Sequence, residues 1–119
     1  MADNWYVYVV RCRDGTLYTG IARDVCKRLR QHAERSPQAA KYTRSHPIEE
    51  LAGLWQASDK QAAARLEYAI KQLTRQQKDA LLAQPDTFAA VLPQLEAEQY
   101  THLPGVTLAQ CLEGGFHDH

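Results

Sequence analysis

Two hydrophobic segments near the start of the chain predict an antiparallel hairpin. Residues 5–10 are aromatic and β-branched, which is typical of a strand. Residues 16–21 form a second segment of this kind, and the turn dipeptide Asp14-Gly15 lies between the two. A chain that reverses direction at this turn would pair both segments along their length.

The tyrosines of this hairpin are expected on a single face. A loop of about three residues would place Tyr8 opposite Tyr18. Side chains alternate between the two sides of a strand, so every second residue shares a face. The residues expected together on that face are Tyr6, Tyr8, Tyr18 and Gly20.

Helical patterns and one more strand follow the hairpin. Asp24 can cap a helix that ends at residue 32 or 33, and residues 51–55 favour a third strand. Ser58 with Gln61 and Thr74 with Gln77 form two capping boxes, which predict helices to about residues 73 and 82. Residues 88–95 can form one further helix. The order predicts a compact α/β (α+β) domain over residues 1–84, with residues 85–119 as an acidic extension of unknown role.

Length and composition favour a single small cytoplasmic domain. The chain has 119 residues, and no apolar run approaches the roughly 18 residues of a membrane span. The chain begins Met1-Ala2-Asp3-Asn4, and because this start includes an acidic and a polar residue, a secretory signal is not expected. The three cysteines at positions 12, 26 and 111 are scattered and contain no CxxC pair. This spacing argues against a disulfide framework or a zinc cluster.

The formal net charge of zero hides an uneven distribution. Residues 1–78 hold all 14 lysines and arginines against 8 acidic residues, whereas residues 79–119 hold 6 acidic residues and no lysine or arginine. The basic part can attract phosphate, although a solvated helix surface has the same composition. The acidic part is expected either to solubilise the protein or to compete with nucleic acid for the basic surface.

Several polar side chains have the chemistry that phosphodiester cleavage needs. Glu67 flanks the apolar face of its helix, where a carboxylate can hold Mg²⁺. Arg28 offers a planar fork for phosphate oxygens, and His32 lies four residues further on the same helix face. A tyrosine hydroxyl can orient a water molecule or accept its proton. Ordinary packing tyrosines, a solvated helix face and an ion pair between Glu67 and Lys71 would explain the same residues.

The order and spacing of these residues resemble the signature of the GIY-YIG nuclease family, and in particular its small single-domain bacterial members. The matching segments are Tyr6-Val7-Tyr8, Leu17-Tyr18-Thr19-Gly20-Ile21, Arg28 ten residues after Tyr18, Ala40-Lys41-Tyr42-Thr43-Arg44 and Leu66-Glu67-Tyr68-Ala69-Ile70-Lys71-Gln72-Leu73. The likeness covers about residues 5–82. It implies a three-stranded antiparallel sheet flanked by helices. It also implies Mg²⁺- or Mn²⁺-dependent cleavage of DNA, with RNA not excluded.

The resemblance implies roles for individual residues as well. Tyr8 matches the tyrosine that activates the attacking water, and Tyr18 matches the one that orients water or phosphate. Arg28 matches the arginine that stabilises the phosphate, and His32 stands where family members carry histidine or tyrosine. Glu67 matches the single metal-binding carboxylate. Contacts with nucleic acid are expected from a further set: Gly20, Lys27, Arg30, Lys41, Tyr42 and Arg44.

Two departures from the family pattern keep a second hypothesis open. Tyr6 and Val7 replace the glycine and isoleucine of the first motif, and no asparagine follows Glu67. The alternative is a non-catalytic module that binds nucleic acid or docks a partner on the same scaffold. The sequence does not indicate strand preference or oligomeric state.

Overall fold

A computed structural model describes residues 4–34 and 45–113, which fold around one antiparallel sheet. Its strands are β1 (Trp5–Cys12), β2 (Leu17–Ala22), β3 (Ile48–Ala57) and β4 (Tyr100–His102). They lie in the order β2-β1-β3-β4, so β2 forms one edge of the sheet and β4 the other. The predicted α+β class with an antiparallel sheet is confirmed, but the sheet has four strands and not the three that were predicted.

The fourth strand forms by pairing with β3, and no local sequence pattern predicts it. It is three residues long and pairs with the end of β3, where Trp55 lies opposite His102 and Ala57 opposite Tyr100. Such a short segment has too few residues to show alternation in the sequence. Strand β3 is also longer than the predicted 51–55, since it spans ten residues.

The hairpin register differs from the prediction, but the shared face does not. Tyr8 lies opposite Gly20, and Tyr18 lies opposite Val10, because the turn spans residues 12–16. The predicted pairing of Tyr8 with Tyr18 is therefore wrong by two residues. A shift of two residues leaves each side chain on its own side of the strand. Tyr6, Tyr8 and Tyr18 accordingly pack in the same core cluster.

Side-chain caps define where the longer helices begin. Helix α1 (Val25–Ala33) follows Asp24, whose carboxylate accepts the Lys27 N–H, as predicted. Helix α2 (Lys60–Gln72) follows Asp59, whose carboxylate accepts the Ala62 N–H. The predicted Ser58 cap is therefore wrong by one residue, because the adjacent aspartate is an equally good cap.

Three further α-helices follow α2 in the described part of the chain. Helix α3 (Arg75–Ala83) begins with the predicted capping box of Thr74 and Gln77. Helix α4 (Phe88–Val91) covers only half of the predicted 88–95 helix, and α5 (Leu108–Glu113) was not predicted. Within the described part of the chain, no helix has the length and apolar character that crossing a bilayer would require.

Each face of the sheet packs against its own set of helices. Val7 and Val9 point to the face that α2, α3 and α4 cover. Tyr6, Tyr8 and Val10 point to the opposite face, which α1 and α5 cover. The sheet therefore separates α1, which carries Arg28 and His32, from α2, which carries Glu67.

Several residues between positions 85 and 113 pack in these same two cores. Phe88, Leu92 and Tyr100 are buried on the α2 side of the sheet, and Cys111 is buried on the α1 side. The predicted division of the chain at residue 84 stays a prediction. Any role of the acidic segment in nucleic-acid binding stays a prediction.

A disulfide joins Cys26 in α1 to Cys111 in α5. The expectation of no disulfide is wrong for this pair. The two cysteines are 85 residues apart, and only the packing of α5 against α1 brings them together. Cys12 is a buried free thiol.

Candidate active site

The phenol of Tyr8 belongs to a buried polar cluster on the α1 face of the sheet. Its hydroxyl oxygen lies 2.8 Å from Nε2 of His32. The two residues are 1% and 0% exposed, respectively. Because both residues are almost entirely shielded from bulk water, this hydrogen bond pairs the two polar atoms and fixes the two rings relative to each other.

Tyr18 forms the third ring of the cluster. Its ring centroid lies 6.4 Å from that of Tyr8 and 5.6 Å from that of His32, which it meets edge-on at 64°. Tyr18 is half-buried, whereas the other two rings are enclosed. The cluster therefore reaches solvent on the side where Tyr18 lies.

Gly20 provides the space that the Tyr8 phenol occupies. A Cβ atom on Gly20 would lie 2.4 Å from the Tyr8 hydroxyl oxygen and 2.6 Å from Cζ. The phenol thus extends from β1 across the edge strand β2, at a position that carries no side chain. The contact seen at Gly20 is with Tyr8, and a contact with nucleic acid stays a prediction.

Helix α1 brings Arg28 and His32 to the same side, as their four-residue spacing predicts. His32 points into the core, while Arg28 is half-buried. The Arg28 Nη1 donates a hydrogen bond to Oε1 of Gln31 at 3.0 Å. The sequence analysis missed Gln31, although its i, i+3 spacing from Arg28 was a usable signal.

The surroundings of Tyr8 shift the pKa of its hydroxyl in opposing directions. Burial, as the largest effect, raises this pKa well above the ordinary value of 10.0, and negative charge on Tyr18 or Glu67 would raise it further. Arg28 lowers it through its positive charge and a hydrogen bond. Burial dominates, so the Tyr8 hydroxyl keeps its proton at neutral pH.

Burial has the converse effect on His32. It lowers the pKa of the imidazole from 6.5 to about 4, with a further contribution from the charge of Arg28. His32 is therefore neutral at neutral pH. In the tautomer that carries its hydrogen on Nδ1, the imidazole accepts the Tyr8 hydroxyl hydrogen at Nε2.

Glu67 approaches from the other side of the sheet. Its side chain is 24% exposed and lies 3.3 Å from the Lys71 ammonium, which is the ion pair that the sequence predicts. Helix α2 packs beside the edge strand β2, where Leu17 and Ile21 contact its core. The carboxylate is close enough to affect the pKa of Tyr8. The negative charge of the carboxylate thus acts on Tyr8 from across the sheet, and a direct approach of the two side chains stays a prediction.

The remaining predicted residues divide into two groups. Lys27 is exposed on α1, whereas the Arg30 Nη1 donates a hydrogen bond to the Cys111 carbonyl oxygen at 3.1 Å. Lys41, Tyr42 and Arg44 lie outside the described residues.

Across residues 4–34 and 45–113, no three His, Cys, Asp or Glu side chains gather in a way that could hold a metal ion.

Comparison with known proteins adds independent information about this chain. A family model described as the GIY-YIG catalytic domain matches residues 4–80. The UPF0213 protein YhbQ of Salmonella typhimurium is 42% identical over 92 residues, which cover 77% of this chain and 90% of that protein. A UPF0213 protein of Fusobacterium nucleatum is 36% identical over 84 residues, which cover 71% and 82%. None of these relatives' names states an activity.

One solved structure is also similar to this chain. It is the solution NMR structure of a UPF0213 protein from Bacillus halodurans, with 41% sequence identity. The match covers 67% of this chain and 83% of that one, with a TM-score of 0.44.

Proposed function

Because the chain belongs to the GIY-YIG family, we propose that it is a divalent-metal-dependent endonuclease that hydrolyses phosphodiester bonds in DNA. The observation that carries this proposal is the buried hydrogen bond between Tyr8 and His32, with Arg28 beside it. Replacing both members of a buried hydrogen-bonded pair by apolar side chains of the same shape can be nearly neutral for stability, so packing alone does not require such a pair. Groups with strongly shifted pKa values are frequent at catalytic sites.

The Tyr8–His32 pair supplies a path for the proton of the attacking water. As water attacks phosphorus, the Tyr8 oxygen accepts a proton from it, while the Tyr8 hydroxyl hydrogen moves to Nε2 of His32. His32 is available for this step because its low pKa keeps the imidazole neutral. The leaving oxygen takes a proton from a solvent water molecule. The imidazolium then returns its hydrogen to the Tyr8 oxygen, and Tyr8 releases the proton of the attacking water to the hydroxide left in solvent.

Arg28 stabilises the negative charge that develops during the reaction. Its guanidinium can form two parallel hydrogen bonds to phosphate oxygens, and these strengthen as the phosphorus centre gains charge. Gln31 fixes one end of the guanidinium, which limits the conformations that Arg28 can adopt. Tyr18, at the open side of the cluster, can hold the water or a phosphate oxygen by its hydroxyl.

The donor chemistry at Glu67 fits a hard divalent cation. Mg²⁺ usually binds through one or two carboxylates and completes its shell with water and substrate phosphate oxygens. Glu67 offers two oxygens on a partly exposed side chain, and Lys71 can move aside because it is exposed as well. When bound there, Mg²⁺ or Mn²⁺ would stabilise charge on the phosphate and lower the pKa of Tyr8.

A metal-dependent cleavage assay tests the proposal. The purified protein is incubated with Mg²⁺ or Mn²⁺ and a panel of single-stranded, duplex and branched DNA, with an RNA strand alongside. We expect cleavage of at least one DNA substrate, and we expect Glu67→Ala to lower its rate by roughly 10²–10³-fold. Glu98→Ala is the matched control, since it removes an exposed glutamate next to β4, at the other edge of the sheet.

Each other outcome contradicts a specific part of the proposal. Binding of DNA without any cleavage would favour the non-catalytic module. Cleavage of RNA alone would remove DNA as the substrate. A Glu67→Ala protein as active as the wild type would remove the metal assignment.

A further inference from the structure

Two exposed cations lie over one tryptophan at the corner of the sheet where β1 begins. The guanidinium carbon of Arg23 is 6.0 Å from the centroid of the Trp5 ring, and the Lys60 ammonium nitrogen is 5.3 Å from it. Trp5 is half-buried against the core on the α2 side. These distances are within the range of cation–π attraction, so the indole holds both charges at this corner of the sheet. We call Trp5, Arg23 and Lys60 the tryptophan cluster.

Three elements connect the tryptophan cluster to the candidate active site. Trp5 precedes Tyr8 by three residues on β1, and the two side chains point to opposite faces of the sheet. Arg23 lies between β2 and α1, five residues before Arg28. Lys60 precedes Glu67 by seven residues on α2, which is close to two full turns. Lys60 and Glu67 therefore lie on the same side of α2, about 10 Å apart along its axis.

The acidic residues next to the cluster have structural roles at helix ends. The Asp24 carboxylate accepts the Lys27 N–H at 3.1 Å, and the Asp59 carboxylate accepts the Ala62 N–H at 2.7 Å. Both carboxylates thus cap helices, and their charge is partly balanced by the positive helix N-termini that they cap. They therefore repel an anion at the tryptophan cluster less strongly than two carboxylates that cap no helix would.

We propose that the tryptophan cluster is a second phosphate-binding subsite, which holds the nucleic-acid strand on one side of the bond that is cleaved. The proposal rests on the proposed function, because it places the scissile phosphate at Tyr8 and Arg28. Both cations can form charge-assisted hydrogen bonds with phosphates of a strand that passes the Trp5 ring. Successive phosphates of one strand advance about 3.4 Å along the axis of a duplex, so the separation of about 10 Å between Lys60 and Glu67 corresponds to about three nucleotides of duplex DNA.

This second subsite has a consequence for the substrate. A strand held at both points lies in one direction across the edge of β2. It must also extend about three nucleotides beyond the scissile bond on one side. The cluster therefore sets the polarity of cleavage and a minimum length, without reading the base sequence.

The salt dependence of binding tests the subsite without any need for cleavage. The protein binds a fluorescent single-stranded oligonucleotide in EDTA, and the logarithm of the binding constant is plotted against that of the salt concentration. The slope should fall by about 0.7 for each phosphate that a variant no longer neutralises. We expect this decrease in Arg23→Gln/Lys60→Gln and, in part, in Lys60→Gln alone. Arg65→Gln/Lys78→Gln removes two charges from α2 and α3 away from the cluster, and it should leave the slope unchanged.

A scan with neutral methylphosphonate linkages then locates the contact. In the wild type, one neutral linkage about three nucleotides from the cleaved bond should lower kcat/KM. The same linkage should have no effect in Arg23→Gln/Lys60→Gln. Arg23→Gln/Lys60→Gln and Arg65→Gln/Lys78→Gln could show the same salt slope while the wild type cleaves DNA. In that case the subsite is wrong and the proposed function stands. If the slope falls only in the cluster variant but no variant or wild-type protein cleaves, the subsite stands and the proposed function fails.

Discussion

Gly20 lies on the edge strand β2 directly opposite Tyr8. A glycine in a nuclease motif suggests that a ligand approaches the backbone closely, and the family resemblance predicts a contact with nucleic acid at Gly20. In the folded chain the approaching group is the phenol of Tyr8, which lies where a Cβ atom would be. The position of the Tyr8 phenol therefore explains why residue 20 carries no side chain. The pattern of residues along β2 alone could not predict this contact.

Gly20→Ala should therefore displace Tyr8 from His32 and destabilise the protein. Overpacking of this kind typically costs about 1–3 kcal/mol, which chemical denaturation can measure. In a Tyr8→Leu background the shorter side chain leaves room for the methyl group, so the added cost of Gly20→Ala should be much smaller. Equal costs of Gly20→Ala in both backgrounds would show that Tyr8 is not what requires the glycine.

At the scale of the elements, helix caps and the alternation of side chains along strands could be predicted from the sequence. The elements that form only by packing against distant segments could not. The Thr74–Gln77 capping box and the shared tyrosine face depend on residues close in sequence, and both are confirmed. The β4 strand and the short α5 helix depend on contacts with distant segments, so they have no local signal in the sequence. The Ser58 cap is wrong because two adjacent residues can both cap a helix, and tertiary packing selects Asp59.

The disulfide that fixes α5 to α1 should make the stability of the protein sensitive to reductants. It closes a loop between cysteines 85 residues apart. For a loop of this length, the loss of unfolded-state entropy corresponds to about 4.6 kcal/mol, and the effects of disulfides are typically about 2–4 kcal/mol. Denaturation with and without dithiothreitol should show a decrease of this order in the free energy of unfolding.

Cys26→Ser/Cys111→Ser provides the control, because its stability should not respond to dithiothreitol. A count of thiols in the unreduced, denatured wild type checks the linkage directly. One free thiol, from Cys12, is expected. Three free thiols would contradict the disulfide.

At the scale of the whole molecule, the candidate site combines residues from both faces of the sheet. Local spacing predicts that Tyr8 and Tyr18 lie on one face of the sheet. It also predicts that Arg28 and His32 lie on one face of helix α1. The position of Glu67 relative to Tyr8 could not be predicted, because it depends on how α2 packs beside β2. The burial of His32, which makes its imidazole neutral, is likewise a product of tertiary packing.

The central claim is that the Tyr8 hydroxyl takes part in phosphodiester cleavage, and the single-turnover rate of Tyr8→Phe with Mg²⁺ tests it most directly. Tyr100→Phe is the matched control: Tyr100 is also buried, but its hydroxyl donates a hydrogen bond to the Ala62 carbonyl oxygen, at 2.8 Å, in the other core. We expect Tyr8→Phe to lower the rate by about 10²–10⁴-fold in a folded protein, as the loss of a general base does. Tyr100→Phe should cleave at a rate close to that of the wild type. A Tyr8→Phe protein that cleaves as fast as Tyr100→Phe would contradict the claim.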